Sequence, residues 1–361
     1  MPKSASVSAR VRAFCDDLGL RIPILLAPMA GACPPSLSIA VAEAGGLGAC
    51  GTLMMQPEAI AQWASDVRAA TDGRFQLNLW LPDPAPARDA AKETAVRAFL
   101  EHWGPAIEPG AGDRGLPDFA AQCAAMLEAR PAALSSIMGV YPPEFVAAMK
   151  ARGIRWFATA TTVAEAKIAE AAGADVIVAQ GMEAGGHRGA FDPAKAEVEQ
   201  VGLFALLPAI VDAVSVPVVA TGGIADARGV AAALILGASA AQIGTGFLRS
   251  PEAKLAPAWA DAIGAALPEQ TMVTRVFSGR PGRSIATAYA RAATAPGAPA
   301  PAPYPVQRGL TLAMRAAATK AGDIDRIQAW AGQSSALAQA RPAGEIARTV
   351  WDEARSLLPA G

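Results

Sequence analysis

The chain has 361 residues, 52% hydrophobic and 17% charged, with a formal net charge of −1. This length suits one barrel of roughly 250 residues carrying insertions, and the charge balance offers no grip on nucleic acid or an anionic membrane. Cys15, Cys33, Cys50 and Cys123 form no CxxC pair, so neither a zinc site nor a disulfide framework is expected, and no metal is assigned.

Residues 22–27 (IPILLA) read as a buried strand that runs into a Pro-Met-Ala-Gly turn. A helix over 35–44 ends at Gly45–Gly46, a second strand covers 47–51, a helix covers 57–71, and a third strand covers 74–80 (RFQLNLW). Residues 81–130, rich in Pro, Gly, Ala and charge, interrupt the rhythm as a helical excursion. Strands are then expected at 133–139, 154–159, 175–180, 216–221 and 240–244, with helices at 142–151, 162–172, 200–213 and 226–236. Continuous apolar runs between turn signals fit parallel strands buried on both faces. Eight such strands alternating with helices predict a (β/α)₈ TIM barrel, with an open doubly wound sheet as the alternative. The barrel is expected to occupy 1–249. A small helical cap subdomain is expected over 250–325, inserted after strand 8, with the Pro-rich run APGAPAPAP (295–303) as a surface connection. Residues 326–361 return to the barrel, where the amphipathic 340–358 closes it. Tyr289 and Tyr304 are candidates for lining a pocket under the cap, with ordinary packing as the alternative.

Two strand ends carry the first chemical signal. Val218–Thr221 runs into Gly222–Gly223 and then a helix, and Ala241–Ile243 runs into Gly244-Thr245-Gly246. Such turns offer free backbone N–H groups and a helix N-terminus to an anion, and a Cβ would keep a phosphate from approaching. The loops after strands seven and eight are a common phosphate site in these barrels. Either glycine pair alone is a weak signal; one β/α unit apart, they point to a phosphate-bearing ligand. The loop after strand six, AQGMEAGGHRG (179–189), packs four glycines around Glu183, His187 and Arg188. His187 stands where barrel enzymes place reactive groups, and imidazole can give or take a proton near neutral pH. Glu183 is read as orienting the loop, and Arg188 as forming a salt bridge to a loop acid.

Taken together, LLAPMAGA (25–32), QLNLW (76–80), AQGMEAGGHRGAF (179–191), the 218–248 stretch and AWAGQS (329–334) resemble the nitronate monooxygenases, formerly called 2-nitropropane dioxygenases. The resemblance implies non-covalently bound FMN. It places the Ala27-Pro28-Met29 turn against the isoalloxazine ring and Asn78 and Gln180 in hydrogen bonds to the flavin. Gly185, Gly222, Gly223, Gln242, Gly244 and Thr245 then hold the ribityl chain and phosphate, and His187 matches the active-site histidine. The implied reaction is oxidation of alkyl nitronates, or of nitroalkanes through them, by O₂ to a carbonyl compound and nitrite. NAD(P)H-dependent reduction of enoyl thioesters or quinones on the same barrel is the rival enzyme reading, and a non-catalytic flavin-binding protein the other. No apolar stretch reaches the roughly 20 residues of a membrane span. The N-terminal MPKSASVSARVRAFCDDLGL lacks a leader-like apolar core. A cytoplasmic protein acting on a small molecule is expected, without nucleic acid or membrane partners, and with a homodimer left open.

Overall fold

The computed structural model describes residues 6–359, so the first five residues of the stretch read for a leader, and the end of the returning segment, lie outside it. Helix α1 (Val7–Leu18) precedes strand β1 (Ile24–Leu26), followed by α2 (Pro35–Glu43), β2 (Gly48–Gly51), α3 (Pro57–Ala70) and β3 (Phe75–Trp80). Helices α4 (Ala90–Leu100) and α5 (Phe119–Glu128) separate β3 from β4 (Ala133–Ile137). Then come α6 (Pro143–Ala151), β5 (Arg155–Ala160), α7 (Val163–Ala171), β6 (Val176–Gln180) and a two-residue strand β7 (Gly186–His187). Helix α8 (Leu203–Ala213), β8 (Val218–Thr221), α9 (Ala227–Ile235) and β9 (Ala240–Ile243) complete the alternation. Local chemistry sets several helix starts: Pro occupies the first turn of α2, α3 and α6, and the Thr162 and Asp226 side chains cap α7 and α9.

The fold is a (β/α)₈ TIM barrel. Eight parallel strands run in the order β1-β9-β8-β6-β5-β4-β3-β2. A single Leu25–Leu47 bridge closes β1 onto β2, with Leu26 N donating to Leu47 O at 2.8 Å. That seam is short. The next β2 amide on the β1 side, Ala49 N, donates to Ser38 Oγ at 3.0 Å instead of to β1. Strand interiors are buried on both faces, as the unbroken apolar runs require.

After β9 the chain forms α10 (Pro257–Ala265), β10 (Thr271–Thr274), β11 (Gly282–Ile285), α11 (Ala288–Thr294), α12 (Val306–Leu310) and α13 (Leu312–Ala321). This region is not purely helical. β10 and β11 form an antiparallel hairpin, and β11 pairs with β7 of the barrel loop. Runs of four residues are too short for their alternation to stand out, and the third strand comes from a distant loop. Helix α4 joins this region in one satellite core: Val96 and Leu100 pack with Phe277, Tyr289 and Met314. The 295–303 run links α11 to α12 with its first residues exposed and Ala302 buried. Helix α14 (Ala343–Leu357) buries Ile346, Ala347, Val350 and Ala354 and packs against α2 and α9, flanking the closure. No helix among the described residues is long and apolar enough to cross a membrane.

Arg280 ties three parts of this assembly together. Its side chain is 1% exposed, and its guanidinium pairs with Asp83 of the excursion at 2.5 Å and donates to Ala190 O at 2.8 Å. Asp83→Ala would strand a buried cation, and breaking such a pair typically costs about 3–5 kcal/mol. The expected result is a lower urea midpoint for Asp83→Ala, with part of the loss recovered when Arg280→Met is added.

Candidate active site

The C-terminal ends of the barrel strands open on a cavity of about 660 Å³. Ala27, Pro28, Met29, Asn78, Gln180, Gly185, His187, Gly222, Gly223, Gln242, Gly244 and Thr245 all line it. Barrel geometry explains the convergence, because each stands at or just beyond the end of a parallel strand.

At one end, the backbone turns after β8 and β9 face each other. Gly222 and Gly223 have φ of +106° and +70°, a region that glycine enters without strain. A Cβ on Gly222 would sit 3.1 Å from both Ala184 N and Gly181 O. The amides of Gly222, Gly223, Ile224, Gly244 and Thr245 donate to no protein acceptor among the described residues. They form an unspent donor set suited to an anion. The 329–334 segment covers this end: Ser334 Oγ donates to Gly223 O at 2.6 Å and Gly332 N donates to Thr245 Oγ1 at 3.1 Å.

Two carboxylates, buried Glu165 and half-buried Glu183, set the loop after β6. Glu183 accepts from Leu203 N at 2.8 and 3.0 Å, occupying the start of α8, and its side chain lies under Gly223. Glu165 accepts from Thr161 N, Thr161 Oγ1 and Phe191 N at 2.7–2.8 Å. Glu183 therefore orients the loop, as expected. Arg188 does not form the expected salt bridge; it is buried and donates to Gly181 O at 2.7 Å, closing the loop on itself. Gln180 is largely spent on the same loop. Its Nε2 donates to His187 O at 3.1 Å and its Oε1 accepts from Gly189 N at 2.8 Å, leaving one N–H for a ligand.

His187 also faces the cavity. Its ring lies edge-on between Trp80 and Trp330, with centroids at 4.6 and 4.8 Å. Nε2 lies 2.8 Å from Ser278 Oγ. Ser278 also donates to Arg280 O at 3.1 Å, which leaves the Nε2 position for the imidazole proton. Part of the ring surface opens onto the cavity. Even so, desolvation by the surrounding walls, reinforced by the guanidiniums of Arg280, Arg308 and Arg315, pushes its pKa down to about 3. The imidazole is neutral at physiological pH. Arg308 and Arg315 also line the cavity, together with Lys254, and no Asp or Glu does. Arg315 is held by neutral partners, Gln328 Oε1 at 2.7 Å, Arg308 O at 2.9 Å and Thr311 Oγ1 at 3.1 Å. The Arg308 guanidinium has no hydrogen-bond partner among the described residues. This wall is cationic and lacks a protein counter-charge.

A family profile for nitronate monooxygenase matches residues 13–353. The chain belongs to the nitronate monooxygenase family. It is 40% identical to a nitronate monooxygenase of Pseudomonas aeruginosa over 95% of this chain and 99% of that one. Its identity to a nitronate monooxygenase of Paraburkholderia phytofirmans is 39%, over 93% of each chain. Among solved structures, a nitroalkane oxidase from Streptomyces ansochromogenes superposes with a TM-score of 0.86 at 36% identity, covering 96% of this chain and 99% of that one. FabK from Thermotoga maritima is more distant, with a TM-score of 0.74 at 29% identity over 96% of each chain.

Trp80, Ser278, Arg308, Arg315 and Trp330 also line the cavity of this oxidoreductase family member, and no sequence motif singles them out. Trp80 had a usable signal, since Gln76, Asn78 and Trp80 alternate on one face of β3. Tyr289 and Tyr304 do not line the cavity. Tyr289 is packed in the satellite core and donates to Val276 O, and Tyr304 lies against Trp80.

Proposed function

We propose that this chain binds FMN in the cavity and oxidises alkyl nitronates with O₂ to a carbonyl compound and nitrite. The observation that carries the choice of substrate is the cationic lining: Arg308 and Arg315 near His187, and Lys254 elsewhere in the lining, with no carboxylate among the lining residues. A nitronate is an anion, and such a lining attracts it while disfavouring cationic ligands. The residues present fit the cofactor. The unspent amides of Gly222, Gly223, Gly244 and Thr245 suit a terminal phosphate, and the glycines leave room where a Cβ would intrude.

Bound FMN supplies the electron transfer and oxygen chemistry. The protein's own residues bind and orient. Neutral His187 presents its Nε2 proton beside Ser278, where a nitronate oxygen can compete for that hydrogen bond. Arg308 offers an unpaired guanidinium to the same anion. Trp80 and Trp330 flank the imidazole and restrict its orientation. With its pKa depressed, His187 is a weak base, so orienting a pre-formed nitronate fits it better than removing a C–H proton.

The expected result is a yellow protein that releases FMN on denaturation. Mixed anaerobically with a nitronate, its flavin absorbance should bleach. Bleaching by NADH but not by nitronate would favour the reductase reading; bleaching by neither would favour non-catalytic flavin binding. Release of FAD would contradict a site built for a single phosphate.

A further inference from the structure

We propose that Gln76, which does not line the cavity, makes Gln242 a hydrogen-bond donor to the bound flavin; the inference rests on the FMN reading above. It starts at the barrel seam. Leu26 O faces β2, but its natural strand partner, Ala49 N, donates to Ser38 Oγ at 3.0 Å. Ser38 Oγ in turn donates to Ala49 O at 2.6 Å, so the helix α2 side chain takes over that peptide. Leu26 O is buried and must find another donor. It finds Gln76 Nε2 at 3.3 Å, reaching across the barrel interior from β3.

A carbonyl only accepts, so this contact fixes which end of the Gln76 amide faces it. The same Nε2 donates to Gln242 Oε1 at 3.1 Å. Gln76 Oε1 has no partner and is fully buried, so nothing on its other side sets the amide the opposite way. Turning the amide over would set oxygen against oxygen at both contacts. Polarity therefore passes from Leu26 through Gln76 to Gln242. With Oε1 turned towards Gln76 Nε2, the amide N–H groups of Gln242 are the unengaged end of a side chain that lines the cavity, and they have no protein acceptor among the described residues. Asn78 is fixed the opposite way. Its Nδ2 donates to Ser135 Oγ at 3.0 Å and Ser135 O at 3.1 Å, leaving Oδ1 to accept. Flavin carries both ring carbonyl acceptors and a ring N–H, so a site with one fixed donor and one fixed acceptor suits it. Gln76 is thus a positioning residue.

The test titrates FMN into flavin-free protein and follows flavin fluorescence. Gln76→Met keeps the side-chain length and removes the relay. It should weaken FMN binding about 3–10-fold, the usual scale of one neutral hydrogen bond. In a Gln242→Met background, the same change should have less than about a twofold effect, because Gln76 acts only through Gln242. Equal effects in both backgrounds, or none in either, would overturn the proposal. Gln242→Glu tests the polarity without touching Gln76. A carboxylate keeps oxygens but loses the donor, so FMN affinity should fall below that of Gln242→Met, and affinity kept at the natural level would also overturn the proposal. If the natural protein takes up no FMN, the cofactor reading itself fails, which is a separate result.

Discussion

FMN should no longer bind when Gly244 carries an aspartate. Gly244 sits at the mouth of β9 with φ near −107°, so a side chain there meets no left-handed strain, and the fold should survive. A Cβ at this position would stand 3.3 Å from Ala27 Cβ and Met29 Sδ, inside the cavity wall. Aspartate adds to that bulk a negative charge beside the amides proposed to receive a phosphate. Like charges brought together out of water cost several kcal/mol, so affinity should fall by more than about 100-fold. Gly244→Ala separates the two contributions: it adds bulk without charge and should lose much less. The measurement is an FMN titration, with circular dichroism confirming the fold. Tight FMN binding by Gly244→Asp would remove the β9 turn from the phosphate site.

Replacing His187 should lower turnover without lowering flavin content. If its Nε2 proton orients the nitronate, His187→Ala should cost about 10–100-fold in kcat/KM, the scale of one hydrogen bond to a charged group. His187→Asn retains an N–H and should recover part of that loss, which a purely structural histidine would not require. Loss should be equal for a nitronate and its parent nitroalkane, if the latter is a substrate. A much larger loss on the nitroalkane would instead make His187 the proton-abstracting base. The pH dependence points the same way. A depressed histidine pKa means that the neutral form persists as pH falls, down to about 3. No imidazole limb is therefore expected in kcat/KM between about pH 6 and 9, where an unperturbed histidine would impose one near 6.5. A limb at that value, lost in His187→Asn, would show that substrate or flavin lifts the pKa and would restore the base role.

The barrel was legible because its strands are buried on both faces and its helices are punctuated by Gly and Pro. The 175–180 and 240–244 runs differ from the observed strands by a residue at an end. The glycine turns at 222–223 and 244–246 were legible for a related reason: glycines at the ends of two successive strands have few structural uses in common. What the sequence withheld depends on docking. Ser278 reaches His187 from 91 positions away, out of a turn between two four-residue strands. Arg308 and Arg315 look like ordinary surface arginines until α12 and α13 fold over the barrel mouth. The depressed His187 pKa follows from that same covering and could not be read from the loop sequence. Gln76 was hidden differently. It lies within the quoted QLNLW stretch, but its partner is a carbonyl left over at a seam, and one strand's side-chain pattern does not reveal such a seam.

His187 belongs to β7, and β7 is the third strand of the sheet begun by β10 and β11. The imidazole and the covering region therefore share one hydrogen-bonded ribbon, further fastened by Arg280 to Ala190 and Asp83. A cover that swung open as a flap would carry the His187 ring with it. Ligands are instead expected to enter and leave through gaps beside the cover, without its swinging away. Traffic then depends on the width of those gaps, and evolution can resize them by exchanging single side chains without retuning a hinge.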